Sequence, residues 1–560
     1  MLQRTLPIAL LSCLGAIVAV PTGRQQQTTS PSQQQTPKQP AAVLRTTTRV
    51  VEMSVVVHNK KGNCITGLTR DDFIVKDEGK QQDIRFFLEE KQQPPSPEAG
   101  PTTLGFFTNL NELQSGASSN YNVILLDGLN SKFEDRAFAR QQIIKFLKQL
   151  QPNDRVALYA LGTQLRVLYD FTDNAAELLK ALDTYKGVPL SDMDDPYQPA
   201  NSRFRGLNML FEESRQAILE AKTGNKILFT VQAMEAIADH LAGLPGRKNL
   251  VWVSDGFPLY MGFHKFGGRQ FPSSAGQAYF LEVERAARAL EKANMAVYPV
   301  DAHGMLAPPT AIRGGPGEVY ALEPSAVNMF TGADNDSTMD FLAKRTGGIA
   351  FHNENDIRRA IRRAIDDSSD SYLLGYSPEG IAWDGKFRKV RVEVKRPGTE
   401  VRTREGYFAL PDQSKDFTER RIELLKTAFN PLDSTGIPLR AKAEVVEDAP
   451  TRKIKLLMQL DPHALRLEEE QEQWNGAIDF FYVLRNPDGS VAKVTDRTLS
   501  LRLLPETHDK VMREGLYVST EVELEAGATE LRIIARDVNS ESIGSLTIPL
   551  SALPAPNQKN

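Results

Sequence analysis

The sequence predicts a mixed α/β protein. A doubly wound, parallel-sheet domain is set between β segments and followed by an all-β domain. Three observations predict this. From Tyr121 to about residue 367, apolar runs of strand length alternate with segments of helical period, the signature of a parallel sheet. On either side, at 45–90 and 371–409, short runs rich in β-branched residues are punctuated by turn residues. From 436 to 553 the period of two returns. A chain of 560 residues suits roughly two to four domains. With 41% hydrophobic and 25% charged residues, it has the composition of a soluble globular protein. A net charge of −4 gives no reason to expect nucleic acid or an anionic membrane as partner.

The first residues are of another kind. Arg4 precedes the apolar run Leu6 to Val20, which is too short for a comfortable membrane span and leads into polar sequence. It reads as a secretory signal peptide over 1–22, cut between Ala16 and Gly23. The protein is therefore expected to be secreted, extracellular or periplasmic. Membrane association is expected only through an uncleaved signal or a lipid anchor at Cys13. Residues 23–44, rich in Gln, Thr and Pro, read as a flexible tether. With the signal removed, Cys64 is the one cysteine left, so the mature domains must hold together by their cores.

The elements follow in order. Thr48 to His58 reads as a strand, Asn59-Lys-Lys-Gly62 as a hairpin turn, and Gln82 to Leu88 as a further strand. The segments 45–90 and 371–409 are each too short for an independent sandwich. They are expected to pair as one β domain with the α/β domain, 104–370, inserted between them. Asn122 to Leu126 is too apolar for a solvent-facing strand and predicts a central strand buried on both faces. Ile143, Leu147 and Leu150 mark a helix over about 133–150. Strands at 155–161 and 165–169, the second an edge, precede a helix at 174–185. Thr230 to Leu241 reads as a helix leading to the strand Leu250 to Val253. A helix through Phe280 and Leu290 leads to the strand Met295 to Val300. A helical linker, 410–435, precedes the domain at 436–553. There Asn486-Pro-Asp-Gly489 is a hairpin signal, and about seven strands suggest an immunoglobulin-like β-sandwich.

The chemistry gathers at the end of the central strand. Asp127 sits at its carboxyl edge, where open α/β sheets put their ligands. Ser131 follows four residues later. A carboxylate and a hydroxyl are hard oxygen ligands, suited to Mg²⁺, Mn²⁺ or Ca²⁺. Asp255 ends a second apolar strand, so the sheet brings two carboxylates together, and a divalent cation would relieve their repulsion.

The stretch Tyr121-Asn-Val-Ile-Leu-Leu-Asp127-Gly-Leu-Asn-Ser131 resembles the first segment of the metal-ion-dependent adhesion site of von Willebrand factor type A (VWA) domains. In that family the segment is Asp-x-Ser-x-Ser; here Leu129 stands for the middle serine. Val251-Trp-Val-Ser-Asp255-Gly256 resembles the family's third metal loop. Thr230 falls before the helix leading to that strand, where the family keeps its metal-contacting threonine. The resemblance implies a VWA (Rossmann-like) domain and a metal set of Asp127, Ser131, Thr230 and Asp255. It implies Mg²⁺ or Mn²⁺ in preference to Ca²⁺, and a protein or extracellular ligand that offers an acidic residue. Leu129 cannot ligate, so an oxygen from Asn130, a water or the backbone has to substitute. Three motifs resemble more narrowly a family of secreted bacterial VWFA-related proteins known chiefly from Acidobacteria. They are Gly67-Leu-Thr-Arg-Asp-Asp-Phe-Ile-Val-Lys-Asp-Glu-Gly79, Gly246-Arg-Lys-Asn-Leu-Val-Trp-Val-Ser-Asp-Gly-Phe-Pro258, and Tyr372-Leu-Leu-Gly-Tyr-Ser-Pro378 with Arg402-Thr-Arg-Glu-Gly-Tyr-Phe408. That family has no settled biochemical role.

Other chemistry is sparse. The seven histidines show no zinc spacing, and His240 and His352 read as structural. No nucleophile elbow or phosphate loop follows a strand. Cys64 has no evident activating neighbour in sequence and reads as a small residue of the β module. The acidic loops Asp192–Asp195 and Asp334–Asp340 lack the spacing of a calcium loop. The chain is therefore not expected to be an enzyme. The expected function is a secreted or envelope-associated binding protein of adhesion type. The alternative is a structural scaffold for surface complexes with a vestigial metal site.

Overall fold

The computed structural model describes residues 49–91, 105–110, 121–151, 154–186, 205–256, 263–266, 269–272, 274–302, 333–352, 356–411, 417–448 and 451–554. The expected signal peptide, the tether and the acidic loop Asp192–Asp195 lie outside them. The chain is a mixed α/β protein with one mainly parallel sheet and several antiparallel ones.

The mainly parallel sheet is ordered Met295–Asp301, Lys248–Ser254, Tyr121–Asp127, Val156–Leu161, Leu165–Thr172. The first four strands run parallel, and the last returns antiparallel along the edge. Tyr121–Asp127 lies in the middle, and all seven of its residues are buried. Its side chains alternate between two cores, as a pleated strand requires. Val123 and Leu125 enter a core with Trp252, Ile227 and Met234. Ile124 and Leu126 enter the opposite core with Ile143, Leu147 and Ile361. The sheet is thus covered on both faces by helices. Arg205–Leu241, Ser274–Lys292 and Ala333–Thr346 pack on one side. Phe133–Leu147, Ala175–Thr184 and Ile357–Ser369 pack on the other.

The helix expected to begin at Thr230 is the last third of Arg205–Leu241, a single helix of 37 residues. Thr230 is therefore interior to a helix and does not precede one. No glycine or proline near it breaks the run Ile227 to Leu241, whose apolar residues recur at helical spacing.

The flanking β segments exchange strands. Val51–Asn59 lies between Asp370–Tyr376 and Thr399–Arg402, and Ile84–Lys91 pairs with the far side of Asp370–Tyr376. A second sheet is ordered Gly406–Phe408, Phe387–Val394, Phe73–Asp77, Lys80–Gln82. Val55, Val75, Leu374 and Val392 share one core between the two sheets. Asp77, fully buried, accepts hydrogen bonds from Tyr376 Oη and Tyr407 Oη, both at 2.9 Å. Burial beside that carboxylate raises both phenols above their ordinary range. Arg404 fastens this β unit to the α/β domain. Its guanidinium donates to the Glu52 carbonyl at 2.7 Å and to Glu291 Oε2 at 3.3 Å on the helix Ser274–Lys292.

The C-terminal part is two antiparallel sheets over a common core of Leu456, Ile478, Phe480 and Ile533. In one sheet the order is Leu516–Glu523, Thr451–Leu460, Leu439–Asp448, Phe106–Thr108. In the other, Gln473–Arg485 pairs with Val491–Leu503 and with Glu530–Asp537. The hairpin at Asn486 closes with Gly489 at φ +82°, a conformation glycine adopts without a side-chain clash. Two boundaries differ from expectation. Phe106–Thr108 adds to the edge of the C-terminal sheet, so the α/β domain does not begin at 104. Thr108 Oγ1 donates to the Leu439 carbonyl, and Asn109 Nδ2 to the carbonyls of Ser434 and Ile437. The expected linker 410–435 contains the helix Phe417–Ala428, whose Leu424 and Ala428 cover Phe481, Val483 and Ile534. The strand Gln473–Arg485 is apolar on both faces over Phe480 to Leu484, so its outer face needs a cover.

Two outcomes are expected of this packing. Leu125→Ala opens a void in the middle of the sheet and lowers stability by about 2–5 kcal/mol, read from denaturant midpoints. Burial pushes the Glu291 carboxyl up from 4.5 to about 7, against the pull of Arg404, Arg345 and Arg288. A raised folded-state pKa gives stability that is full below pH 4.5 and lost as pH rises through about 7. Glu291→Gln should flatten the stability profile across that window, and an unchanged slope would reject the assignment.

Candidate functional site at the carboxyl edge of the sheet

Asp127 ends the central strand with no exposed surface. A buried carboxylate must find donors, and five are supplied. Oδ1 accepts from the Leu129 and Asn130 amides, both at 3.0 Å. Oδ2 accepts from Asn130 Nδ2 at 2.7 Å, Trp252 Nε1 at 2.9 Å and Ser254 Oγ at 2.8 Å. Strand alternation explains the last two. Trp252 and Ser254 lie on the parallel neighbour Lys248–Ser254 and share the face of Leu250, which enters the same core as Val123 and Leu125.

Thr230 faces this cluster from the long helix. Its hydroxyl donates to the Lys226 carbonyl at 2.8 Å and accepts from Asn130 Nδ2, also at 2.8 Å. The Asn130 amide nitrogen therefore bridges Asp127 and Thr230. Its orientation follows from its neighbours: a carboxylate only accepts, and the Thr230 proton is committed to Lys226, so both face a donor.

Asp255 and Ser131 form a second link. Ser131 Oγ accepts from the Asp255 amide at 3.2 Å, and Asp255 Oδ2 accepts from the Lys132 amide at 3.0 Å at the start of Phe133–Leu147. Leu129, at the position of the missing serine, is 1% exposed and belongs to the core with Val123 and Trp252.

The four expected ligands thus gather at one edge, Asp127 with Thr230 and Ser131 with Asp255. As arranged, this set does not fit a divalent cation. Both oxygens of Asp127 are taken by donors, and the amide nitrogen of Asn130 stands between Asp127 and Thr230. Asn130 turns a nitrogen, not an oxygen, toward them. Asn130 was expected only as a substitute oxygen, and Trp252 and Ser254 were not among the expected site residues. The signal for the last two was present: they share strand parity with Leu250, one strand away from an aspartate that had to be satisfied.

Beside this edge lies a cavity of about 500 Å³, floored by Leu126 and Leu161 and walled by Phe133, Arg136, Arg140 and Tyr185. Phe133 is 77% exposed, and the Arg136 guanidinium lies 5.7 Å from its ring centroid. Burial raises the Tyr185 hydroxyl, against the pull of Arg166 and Arg136.

No family model matches the chain, and no curated protein matches it. Among solved structures, the chain is similar to the ArnB paralog VWA2 of Sulfolobus acidocaldarius. The identity is 10% over 90% of this chain and 74% of that one, with a TM-score of 0.20. It is similar to a von Willebrand factor type A protein from Catenulispora acidiphila at 11% identity, over 59% and 72%, with a TM-score of 0.23. It is similar to the pilus adhesin SpaC of Lactobacillus rhamnosus GG at 8% identity, over 84% and 58%, with a TM-score of 0.25. Superposition at these scores is too loose to carry residues across, and the fold rests on the strand order and the two cores.

The Asn130 amide acts as a latch between Asp127 and Thr230, and this latch gives a direct expectation. Asn130→Ala removes one of three donors to Asp127 Oδ2 and the donor to Thr230 Oγ1, and should cost about 1–3 kcal/mol. Millimolar Mg²⁺ or Mn²⁺ should leave the melting temperature of the parent chain unchanged. A cation binding only the folded state would raise it, by about 2.7 kcal/mol of stability at a hundredfold excess over Kd.

Proposed function

We propose that the chain is a secreted or envelope-associated binding protein of adhesion type. Its VWA-like domain meets a protein partner at the carboxyl edge of the sheet without a bound cation. The two sheets at 436–553 are taken as an immunoglobulin-like presentation module, and secretion rests on the run Leu6 to Val20. The observation that carries the reading is the pairing of the Asn130 latch with the adjoining cavity. An exposed aromatic ring and the cations Arg136, Arg140 and Lys186 surround an apolar floor there, with Asp183 paired to Arg140 and the other two cations in excess. That combination suits an acidic side chain set beside an apolar one on the partner. The acidic residue expected to complete a metal site would be met by arginine instead.

A scaffold for surface complexes is the second reading, favoured by the same latch, because a satisfied Asp127 also serves structure alone. The contacts of Cys64 and Asp367 with His58 both run through Nε2, so the imidazole cannot relay a proton between them. Among the described residues no helix is long and apolar enough to cross a membrane.

Capture of surface proteins on the immobilised chain, with and without EDTA, tests the proposal. Capture should survive EDTA and fall at least about tenfold in affinity for Arg136→Glu or Phe133→Ala. Capture abolished by EDTA would return the acidic contact to a cation. Capture indifferent to both substitutions would favour the scaffold.

A further inference from the structure

We propose that His58, Cys64 and Asp367 form a binding site for a borderline-soft divalent transition metal of the Zn²⁺ class, far in character from the oxygen-rich edge at Asp127. His58 ends the buried run of Val51–Asn59, and Cys64 lies opposite it across the Asn59–Gly62 turn, joined by an antiparallel bridge. Asp367 approaches from the last turn of Ile357–Ser369. One ligand atom from each residue lies within 4.8 Å of the others. Cys64 Sγ is 3.5 Å from His58 Nε2, and that nitrogen is 2.8 Å from Asp367 Oδ1. A tetrahedral Zn²⁺ with bonds of about 2.3 Å to sulfur and about 2.0 Å to nitrogen holds those two ligands about 3.5 Å apart. The sulfur–nitrogen pair is already at that spacing, and the nitrogen–oxygen pair needs to open by a few tenths of an ångström.

The surroundings suit a cation. His58 and Asp367 are buried while Cys64 is half-buried, which leaves an entry path from solvent. Asp367 Oδ2 is held by the Tyr298 hydroxyl at 2.9 Å and Arg402 Nη1 at 2.6 Å, so Oδ1 is oriented by partners that need not move. His58 Nδ1 has no hydrogen-bond partner among the described residues, so the tautomer that frees Nε2 breaks no bond there. The charges of Asp367, Asp370 and Asp366 act on the thiol, with the Asp367 carboxylate in the cluster itself. Burial, with those charges adding to it and Arg402 pulling against it, pushes the thiol up to about 12. The Asp366 carbonyl, 3.7 Å from Sγ, or a water takes the fourth position. Binding exchanges the Cys64 proton for the metal: the S–H bond breaks, the S–Zn bond forms, and one proton leaves to solvent. The His58 proton moves from Nε2 to Nδ1. Sulfur and nitrogen donors select this class over Mg²⁺ or Ca²⁺.

The full chain carrying Cys13→Ser has Cys64 as its only thiol and is the molecule to test. Co²⁺ should bind at one equivalent with a thiolate-to-metal charge-transfer band, and Zn²⁺ should displace it. Titration in buffers of different ionisation enthalpy should show one proton released per Zn²⁺. Cys64→Ser should lose the band and weaken Zn²⁺ binding by more than about 100-fold, since even outer-shell partners are worth about 10–100-fold. Absence of the band, its retention in Cys64→Ser, or binding without proton release would each overturn the proposal. The band and the proton count are read on the parent molecule, so they decide the matter even where Cys64→Ser fails to fold.

Discussion

A carboxylate with no access to water sits at the end of a fully buried central strand, and the surrounding edge is arranged to satisfy it. Asp127 draws on its own loop, on the neighbouring strand and, through Asn130, on the long helix. Each of those donors fixes an element: the loop entering Phe133–Leu147, the register of Lys248–Ser254, and the seating of Thr230. A buried charge left without partners is among the costliest defects a core can hold. The same demand that makes such a position useful for binding an ion can be met from within the chain, and here an amide does so.

The second polar centre works differently. Asp367 joins three parts of the chain: His58 from the first β segment, Arg402 from the second, and Tyr298 from the parallel sheet. With Asp77 and its two tyrosines, and Glu291 with Arg404, it belongs to a small set of buried polar ties between segments far apart in sequence. Apolar contacts are tolerant of small shifts, whereas a buried hydrogen bond is not. These ties therefore fix how the β unit meets the α/β domain.

The parts of the fold governed by hydrophobic period were legible in the sequence. The run Asn122 to Leu126 could only be buried on both faces, and the helices around Ile143 and Met234 followed from spacing. Asp127 and Asp255 were likewise legible as one neighbourhood, because strand ends meet at a sheet edge, with Ser131 four residues after the first; Thr230 came only from the VWA resemblance. What was illegible depended on partners outside the local pattern. Thr230 to Leu241 was read as a helix of its own, and that it continues a helix from Arg205 is not declared by its period. Phe106–Thr108 is three residues long, too short for any period to declare it a strand. Asn130 was weighed as a source of oxygen; which end of an amide faces inward is decided by its neighbours, not by its own identity. His58 and Cys64 were six residues apart, yet only the hairpin puts them face to face, and Asp367 lies some three hundred residues away.

The strand Phe106–Thr108 and the exchange between 51–91 and 370–408 have a consequence for synthesis. A chain made from its N-terminus exposes Val51–Asn59 long before Asp370–Tyr376 exists, and Phe106–Thr108 before Leu439–Asp448. At ribosomal rates of about 5–20 residues per second, the wait is on the order of tens of seconds. Throughout it, an apolar strand with unpaired amides stands ready to pair with the wrong neighbour. The α/β section between them has its own core and can close first. Its early folding would draw the two β segments toward each other, shortening the loop that the late strands must still close.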